Sequence, residues 1–234
     1  MSARPIAVVT GGAGFIGSHM VDLLLERGFA VRVIDNLVGG RLENLAQHRA
    51  NPDFTLEVKS VLECKPDDVL FRDVKYLFHF AGVGDIVPSI ERPVDYMSVN
   101  VLGTVHALEC ARHAEVEKFL YASSSSCYGL ASVPTREDHP IAPQYPYALS
   151  KYQGEQAAFH WHQVYRLPVN SIRIFNAYGT RSKTSGAYGA VFGVFLRQKL
   201  AGKPFTVVGD GEQTRDFLYV TDVASAFLAG AETM

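Results

Sequence analysis

Thr10-Gly11-Gly12-Ala13-Gly14-Phe15-Ile16-Gly17 is the stretch that decides the fold of this 234-residue chain. It follows an apolar run, Ile6 to Thr10, that predicts a buried strand, and it opens a pattern from Gly14 to Arg27 that predicts an amphipathic helix. Such a turn bends tightly, lets a pyrophosphate approach the backbone and presents the positive end of the helix to it. The stretch predicts a dinucleotide site; the alternative is a glycine-rich turn of an unrelated α/β protein.

Short apolar runs and amphipathic stretches alternate beyond this turn, which is the pattern of βαβ units around a buried parallel sheet. Residues 129–146 contain four prolines and predict an irregular loop, and residues 179–193 predict a loop leading to a short helix. The fold class predicted is α/β, a Rossmann-type doubly wound parallel sheet. Its predicted strands are Ile6 to Thr10, Ala30 to Asp35, Phe54 to Lys59, Tyr76 to Phe80, Phe119 to Ser123 and Val169 to Phe175, and its long helices span 93–113 and 147–166.

An acidic residue ends the second predicted strand at the spacing expected for ribose binding. Asp35 would accept hydrogen bonds from the adenosine ribose and repel a 2'-phosphate, which favours NAD over NADP. The alternative is a solvated turn aspartate. Phe80-Ala81-Gly82 closes the fourth strand with small residues where a cofactor could pass close to the backbone, or it is a plain strand end.

Tyr147 and Lys151 lie one helical turn apart, so their side chains share a face, and a serine run at 123–126 precedes them. A tyrosine keeps its proton to a pH near 10 and needs a neighbouring cation to act as a base, which Lys151 would supply by lowering its pKa. A nearby serine hydroxyl can hold the substrate oxygen in line. Alone, Tyr-x-x-x-Lys is more often a surface pair; beside a dinucleotide fingerprint it predicts redox chemistry on a hydroxyl group.

The composition excludes several classes of function. A net charge of -2 with 47% hydrophobic and 20% charged residues indicates a globular protein without the positive charge that nucleic acid requires. No apolar stretch is long enough to cross a bilayer, and no secretory signal opens the chain. The 3 cysteines and the scattered histidines form no metal-binding pattern, so we expect no metal, reduced thiols and a cytoplasmic location. The histidines are assigned to packing or solvent.

These residues resemble the extended short-chain dehydrogenase/reductases, and among them the nucleotide-sugar epimerase and dehydratase branch, with the UDP-hexose 4-epimerases most similar. The resemblance extends over nearly the whole chain. The similar segments are Thr10 to Gly17, Asp35-Asn36-Leu37, His79 to Gly82, Asn100, Ser124 with Tyr128-Gly129, Pro146-Tyr147, Lys151, Arg173 to Gly179 and Gly209 to Tyr219.

The resemblance implies Ser124, Tyr147 and Lys151 as the catalytic residues, because the family's serine precedes a Tyr-Gly pair by four positions. It implies that Ser123, Ser125 and Ser126 shape the pocket or the loop. Dehydratases of the branch carry an acidic pair just after the serine, and decarboxylating relatives carry a glutamate at the second of those positions. Ser125 and Ser126 stand there instead, which favours epimerisation.

The resemblance also implies the remaining binding residues. Arg215 would contact the substrate diphosphate, or alternatively pair with Asp216 or Glu212; Ser89 would touch the sugar, or alternatively cap a helix before Glu91. Ser60-Val61 replaces an aspartate that reads the adenine amino group, so cofactor affinity could be weaker. Cofactor contacts are implied for Gly11, Gly14, Phe15, Ile16, Gly17, Asp35, Asn36, Ser60, Val61, Phe80, Ala81, Gly82, Asn100, Tyr147 and Lys151, and substrate contacts for Ser89, Ser124, Ser125, Asn176, Tyr188, Ala190 and Arg215.

The resemblance implies two regions: a NAD-binding Rossmann domain at 1–175, and a partial substrate-binding segment at 176–234 that is interleaved with the sheet. Relatives continue beyond the position of Met234, so we expect a truncated chain or a short member, with a small, incomplete C-terminal lobe. A homodimer through helices 93–113 and 147–166 is implied as well.

The function expected is NAD-dependent epimerisation at C4 of a UDP-linked hexose, glucose or galactose or their N-acetyl forms, through a transient 4-keto sugar. The alternatives are a nucleotide-sugar dehydratase or keto-sugar reductase of the same family, and a regulator that binds NAD without catalysis.

Overall fold

A computed structural model describes residues 4–182, 191–207 and 209–233. Six parallel strands form one sheet in the order β3-β2-β1-β4-β5-β6, which confirms the predicted Rossmann-type class. The strand positions agree with the prediction to within about two residues at each end. They are β1 (Ile6–Thr10), β2 (Ala30–Ile34), β3 (Phe54–Glu57), β4 (Val74–His79), β5 (Lys118–Ser124) and β6 (Val169–Ile174).

The register aligns the carboxyl ends of the central strands. Thr10 of β1 lies opposite Ile34 of β2 on one side and opposite His79 of β4 on the other. The chain order reverses between β1 and β4, which is where ligands bind in doubly wound sheets. The glycine turn, Asp35 and Phe80 each follow one of these strand ends, so all three lie at one edge of the sheet.

Helices cover both faces of the sheet. Alternate residues of β1 point to opposite sides, so Ala7 and Val9 pack in the core beneath α1 (Phe15–Glu26), whereas Val8 packs beneath α4 (Gly103–His113) and α5 (Pro146–Tyr165). The other helices are α2 (Ile86–Glu91), α3 (Pro93–Met97), α6 (Val191–Leu200) and α7 (Val220–Glu232).

The predicted helix over 93–113 is one helical stretch with a widened turn inside it. A π-helical turn at Ser98–Leu102 joins α3 to α4, and the Thr104 hydroxyl donates to the Asn100 carbonyl at 2.7 Å. The turn carries Asn100, which is 1% exposed. The preceding α2 has no counterpart among the predicted elements.

The C-terminal part of the chain contributes to the hydrophobic core beneath α1. The strands β7 (Asn176–Tyr178) and β8 (Phe217–Tyr219) pair in parallel as a separate two-stranded sheet. Helix α7 packs beside α1, and Phe227 contacts Phe80 with ring centroids 4.6 Å apart. This helix is therefore part of the layer that covers β1, and the division of the chain at residue 175 stays a prediction.

Cys64, Cys110 and Cys127 are buried free thiols. Burial raises the pKa of Cys64 to about 11 and that of Cys110 to about 12, so both are protonated at neutral pH. Within the described ranges, no helix combines the length and apolar character that crossing a membrane requires.

Candidate active site

The glycine turn is packed so closely that side chains cannot enter it. A Cβ atom on Gly17 would lie 2.2 Å from the Gly11 carbonyl oxygen, and one on Gly11, whose φ is +71°, would lie 2.6 Å from the Ala81 nitrogen. Gly14 begins α1 without a side-chain cap in the described structure. The first turn of α1, with Phe15, Ile16 and Gly17, therefore presents uncapped backbone amides and the positive helix end beside the sheet edge.

Asp35 is fixed against this turn. Its Oδ2 accepts the Ala13 N–H at 2.9 Å, its Oδ1 accepts the Leu37 N–H at 2.8 Å, and the residue is only 7% exposed. The alternative of a solvated turn aspartate is therefore wrong. Asn36 is exposed and its Oδ1 accepts the Val38 N–H at 3.2 Å. Each Asp35 oxygen retains acceptor capacity for a ribose hydroxyl.

The predicted contacts after β3 and β4 also lie at this edge. The Ser60 side chain caps the turn Val61–Glu63 as part of a capping box with Glu63, and Val61 is buried. The Phe80 N–H donates to the Thr10 carbonyl at 3.0 Å and the Ala81 N–H to the Thr10 hydroxyl at 3.3 Å. Contact of these residues with a cofactor stays a prediction.

Ser124, Tyr147 and Lys151 come together from β5 and α5. The Tyr147 phenol lies beside Ser124, whose hydroxyl acts to lower the pKa of the phenol and accepts the Ser126 N–H at 3.2 Å. Lys151 is 7% exposed, and its Nζ lies 4.6 Å from the centre of the Tyr121 ring. The surface-pair alternative is therefore wrong for Tyr147 and Lys151. Ser125 is partly buried in the short turn that follows β5.

The electrostatics of this cluster differ from the expectation. Burial raises the pKa of Tyr147 and the nearby Ser124 hydroxyl only partly opposes this shift, while burial lowers the pKa of Lys151 to about 8. The prediction that Lys151 depresses the tyrosine pKa is wrong for the protein alone, because loss of hydration outweighs the favourable contacts of the phenolate. At neutral pH the phenol is therefore protonated and Lys151 carries most of its charge.

Asn100 connects the segment after β4 to α5. Its Nδ2 donates to the Val83 carbonyl at 3.0 Å and to the Ser150 hydroxyl at 2.9 Å, and its Oδ1 accepts the Val83 N–H at 2.7 Å. A Cβ on Gly82 would approach Asn100 Oδ1 to 3.0 Å and Lys151 Nζ to 3.9 Å. Asn100 thus positions the backbone beside Lys151, a role that sequence reasoning missed because the π turn is invisible in the pattern.

His79 links Thr10, at the start of the glycine turn, to Thr104 of α4. Its Nδ1 lies 2.7 Å from the Thr10 hydroxyl and its Nε2 lies 3.0 Å from the Thr104 hydroxyl. Because Thr104 donates its own proton to the Asn100 carbonyl, it accepts from Nε2–H, which leaves Nδ1 to accept from Thr10. This assigns a neutral imidazole with its proton on Nε2. From the sequence, His79 is assigned with the other histidines to packing or solvent, so this bridging role is new.

We expect His79 to make the protein less stable in acid. Burial, with a smaller contribution from the Lys151 charge, lowers its pKa to about 3, from 6.5 when exposed. Between these values the unfolded chain binds the extra proton, so the free energy of unfolding falls as the pH drops below 6.5, by about 1.4 kcal/mol per unit. Urea unfolding at pH 6 and pH 5 should show this slope reduced in His79→Gln. A matched control, His160→Gln at an exposed position, should keep it; an unchanged slope in His79→Gln would contradict the assignment.

The predicted substrate residues are dispersed. Ser89 is buried inside α2 and donates to the Ile86 carbonyl at 2.6 Å, so it is not a helix cap. Asn176 Nδ2 donates to the Asp216 carbonyl at 3.0 Å, beside the β7–β8 pair. Arg215 is exposed and donates to the Thr214 carbonyl at 2.7 Å. In the described part of the chain it forms no ion pair with Asp216 or Glu212, so that alternative is wrong. Tyr188 and Ala190 lie outside the described residues.

A buried ion pair supports the wall of the site. Glu155 of α5, which is 1% exposed, accepts from Arg173 of β6 at 2.6 Å, and Arg173 also donates to the Tyr128 hydroxyl at 2.9 Å. Tyr128 ends the short turn that begins just after Ser124, so this pair joins α5, β6 and the serine-bearing segment. The sequence does not predict this pair, because it is a tertiary contact; it shows only that Glu155 lies four residues after Lys151, on the same buried face of α5.

The chain is similar to known proteins in both sequence and fold. The family model described as NAD dependent epimerase/dehydratase family matches residues 7–234. A putative UDP-glucose 4-epimerase of Methanocaldococcus jannaschii is 39% identical over 224 residues, which cover 94% of this chain and 72% of that protein. A UDP-glucuronic acid decarboxylase of Arabidopsis thaliana is 37% identical over 228 residues, covering 95% of this chain and 51% of that protein.

A solved structure shows the same fold at high similarity. It is the UDP-N-acetylglucosamine 4-epimerase of Methanobrevibacter ruminantium M1 in complex with UDP-N-acetylmuramic acid. The TM-score is 0.94 at 33% sequence identity, and the similarity covers 100% of this chain and 74% of that chain.

Proposed function

The chain belongs to the NAD-dependent epimerase/dehydratase family, and we propose that it inverts the C4 hydroxyl of a UDP-linked hexose through a transient 4-keto sugar. The observation that carries the proposal is the Tyr147 phenol beside Ser124, one helical turn from buried Lys151. Relatives of the chain include 4-epimerases and a decarboxylase, so the reaction has to be argued from this site.

The described residues fit NAD, the cofactor of the family. Gly11 and Gly17 leave no room for a Cβ, so the turn can lie against a pyrophosphate, and the uncapped start of α1 faces it. Asp35 is held where a ribose-binding carboxylate belongs. When bound, NAD supplies a hydride acceptor that returns the hydride, so no cofactor is consumed over a cycle.

The side chains of the site divide the proton transfer between them. Tyr147 would take the proton of the 4-hydroxyl, and Ser124 would hold the reacting oxygen. The Lys151 ammonium would stabilise the phenolate. Because burial raises the tyrosine pKa, this base needs a further positive charge, which the oxidised nicotinamide carries when it is bound. The site thus favours proton abstraction in the loaded enzyme over the empty one.

The residues after the serine favour epimerisation over elimination or decarboxylation. Ser125 and Ser126 occupy the positions at which the dehydratases and decarboxylases carry acids, and a serine at neutral pH cannot replace a carboxylic acid or its base. Glu155 is a buried carboxylate of α5, but Arg173 occupies both of its oxygens. Epimerisation at C4 requires neither an additional carboxylic acid nor an additional carboxylate base.

An assay with purified protein tests the proposal. Incubation with UDP-glucose or UDP-N-acetylglucosamine and catalytic NAD should yield the 4-epimer, detected by ion-pair chromatography, with no net change in absorbance at the NADH wavelength. Stoichiometric consumption of added NADH would instead show a keto-sugar reductase, and loss of water from the sugar a dehydratase. Cofactor binding with none of these reactions on a panel of UDP-sugars would favour the regulator.

The remaining predicted binding residues belong to this proposal. Ser89, Ser125, Asn176, Tyr188, Ala190 and Arg215 would contact the UDP-sugar, and 176–234 would form part of the substrate-binding segment. Three free thiols suit the reducing cytoplasm, which is the location we propose.

We also propose a homodimer through helices 93–113 and 147–166, because both expose apolar side chains that water covers in the monomer. The large exposed ones are Val94, Leu102, Leu149, Phe159, Val164 and Tyr165. Sedimentation equilibrium should give twice the chain mass for the protein and the monomer mass for Leu102→Glu with Phe159→Glu, while Leu130→Glu on the 129–146 loop should stay dimeric. A monomeric wild-type protein at micromolar concentration would contradict the proposal.

A further inference from the structure

We propose that Tyr121 is a positioning residue of this site: the face of its ring holds the Lys151 ammonium, one helical turn from Tyr147, through a cation–π interaction and keeps that ammonium charged. The inference rests on the proposed function and gives a role in it to a buried side chain of β5. It stands on two contacts between one aromatic residue and one lysine, and on the packing that brings them together.

Tyr121 contacts both ends of the lysine. Lys151 Nζ lies 4.6 Å from the centre of the Tyr121 ring, which is within the range of a cation–π interaction. The Tyr121 hydroxyl donates to the Lys151 backbone carbonyl at 3.1 Å. One side chain therefore fixes the backbone of the lysine and also the position of its charge.

A glycine of α5 makes this close approach possible. A Cβ atom on Gly154 would lie 2.2 Å from the Tyr121 hydroxyl oxygen and 3.0 Å from the Asn100 carbonyl oxygen. Because the first of these distances is shorter than non-bonded atoms allow, a larger residue would push the phenol away from α5. The sequence thus leaves space for this tyrosine about one turn after the lysine that it contacts.

The Tyr121 ring is buried, uncharged and out of reach of a ligand. The residue is 0% exposed, and burial raises the pKa of its phenol, so the ring is neutral at neutral pH. It also stacks on the His79 ring, with centroids 5.9 Å apart. An effect of Tyr121 on the reaction must therefore pass through its neighbours, of which Lys151 is the catalytic one.

The charge of Lys151 depends on such a partner because the lysine is buried. Burial lowers its pKa to about 8, close to the pH at which the enzyme would work. Among the described residues no carboxylate lies within ion-pair distance of Nζ, and Glu155, one turn further along α5, is paired with Arg173. The titratable groups that face the ammonium from the surrounding elements are Tyr121, Cys127, Glu155 and His79.

Loss of the aromatic face would therefore weaken the ammonium. The negative face of the ring stabilises the charged form of the lysine and not the neutral form, so its removal lowers the lysine pKa. Between desolvated groups this interaction is strong enough to move a pKa by about one unit. Lys151 would then lose its proton at a lower pH, and the Tyr147 phenolate would lose the cation that stabilises it.

NMR titration of lysine-labelled protein tests the inference without an activity assay. The Lys151 ε-carbon resonance, assigned by its absence in Lys151→Arg, reports loss of the proton as the pH rises. Tyr121→Phe keeps the ring face, so its midpoint should stay within about 0.3 units of the wild-type value. Tyr121→pentafluorophenylalanine has nearly the same shape with a reversed quadrupole, and its midpoint should fall by about one unit. Tyr121→Leu, which removes the ring, should show the same fall, so a folding defect in one variant does not decide the outcome.

A second lysine–tyrosine contact provides the matched control. Lys75 Nζ lies 5.1 Å from the centre of the Tyr76 ring, and the Lys75 side chain is 37% exposed. Tyr76→pentafluorophenylalanine should leave the Lys151 midpoint unchanged. It should move the Lys75 midpoint by less than about 0.5 units, because water also solvates that ammonium.

Epimerisation kinetics connect the charge of Lys151 to the reaction. In Tyr121→pentafluorophenylalanine the alkaline limb of the kcat profile should move to lower pH together with the Lys151 midpoint. KM for the UDP-sugar should stay within about twofold of the wild-type value, because the buried ring contacts no ligand. A general loss of structure would instead lower kcat at every pH.

The outcomes separate this inference from the proposed function. Equal Lys151 midpoints in Tyr121→Phe and Tyr121→pentafluorophenylalanine would overturn the inference. So would a full shift already present in Tyr121→Phe, which would assign the effect to the hydroxyl, or an alkaline limb that does not follow the midpoint. If no UDP-sugar is turned over, the proposed function fails, and the NMR titration still decides whether the ring holds the charge.

Discussion

Tyr147→Phe is expected to lower kcat for C4 epimerisation by about a thousandfold while NAD still binds. General acid–base catalysis by a positioned side chain contributes on the order of 10² to 10⁴ in rate, and the phenol is the group of this site that can both take and return the proton. The ring itself would remain, so its edge-on contact with Tyr96 and its stacking on Tyr145 should persist. Epimer formation would be measured by chromatography and NAD binding by fluorescence titration.

The neighbouring tyrosine provides the matched control. The Tyr145 ring lies parallel to that of Tyr147, with ring centroids 6.5 Å apart. Removal of the Tyr145 hydroxyl makes the same chemical change two residues earlier in the chain, outside the contact with Ser124. Tyr145→Phe should keep kcat within about threefold of the wild-type value. Comparable rates for Tyr147→Phe and wild type, or a larger loss in Tyr145→Phe, would show that a different group handles the proton.

The central strands were predictable because they are largely buried. Ile6–Thr10 is a short apolar run between Pro5 and Gly11, so its composition and the flanking residues mark it without knowledge of its neighbours, whereas the edge strand Val169–Ile174 is half-buried and of mixed polarity and is marked by its β-branched residues and the preceding Pro168. The glycine turn was predictable for a related reason. The turn requires positions without side chains for local steric reasons, and the glycines that meet this requirement are visible in the sequence.

The catalytic pair was predictable in position, although its electrostatics were not. Helical spacing places Tyr147 and Lys151 on one face, and the structure has them there in α5. The pKa of a phenol depends on how much water surrounds it, and burial is a property of the whole fold. Sequence spacing reports the nearby ammonium but not the lost hydration, which is why the predicted direction of the tyrosine shift was wrong.

Other features were missed for two different reasons. Helix α7 carried a readable signal, with Val220, Val223, Ala224 and Phe227 spaced for one buried face, and the periodicity would have predicted it. The π turn at Ser98–Leu102 carried none, because one extra residue in a turn leaves no mark in an apolar pattern. The pairing of Glu155 with Arg173 is a tertiary contact between α5 and β6, which local patterns do not report.

Arg173→Met is expected to lower the free energy of unfolding by about 3–5 kcal/mol, because it leaves the Glu155 carboxylate buried without its counter-charge. Glu155 is 1% exposed and would keep only the Ser171 hydroxyl, at 3.1 Å, as a described partner. The Tyr128 hydroxyl would also lose its guanidinium donor. Urea unfolding followed by tryptophan fluorescence measures the change.

A second variant separates the buried charge from simple loss of contacts. In Arg173→Met with Glu155→Met both charges are gone, and apolar side chains of similar length fill the space, so we expect the double variant to be more stable than Arg173→Met alone. An exposed pair supplies the control: Arg136 contacts Asp138 at 3.2 Å with both side chains in solvent, and Arg136→Met should change stability by less than about 0.5 kcal/mol. Glu155→Met alone completes the comparison. If the stability losses of Arg173→Met and Glu155→Met add up to the loss in the double variant, the destabilisation comes from packing and the ion pair does not hold α5 against β6.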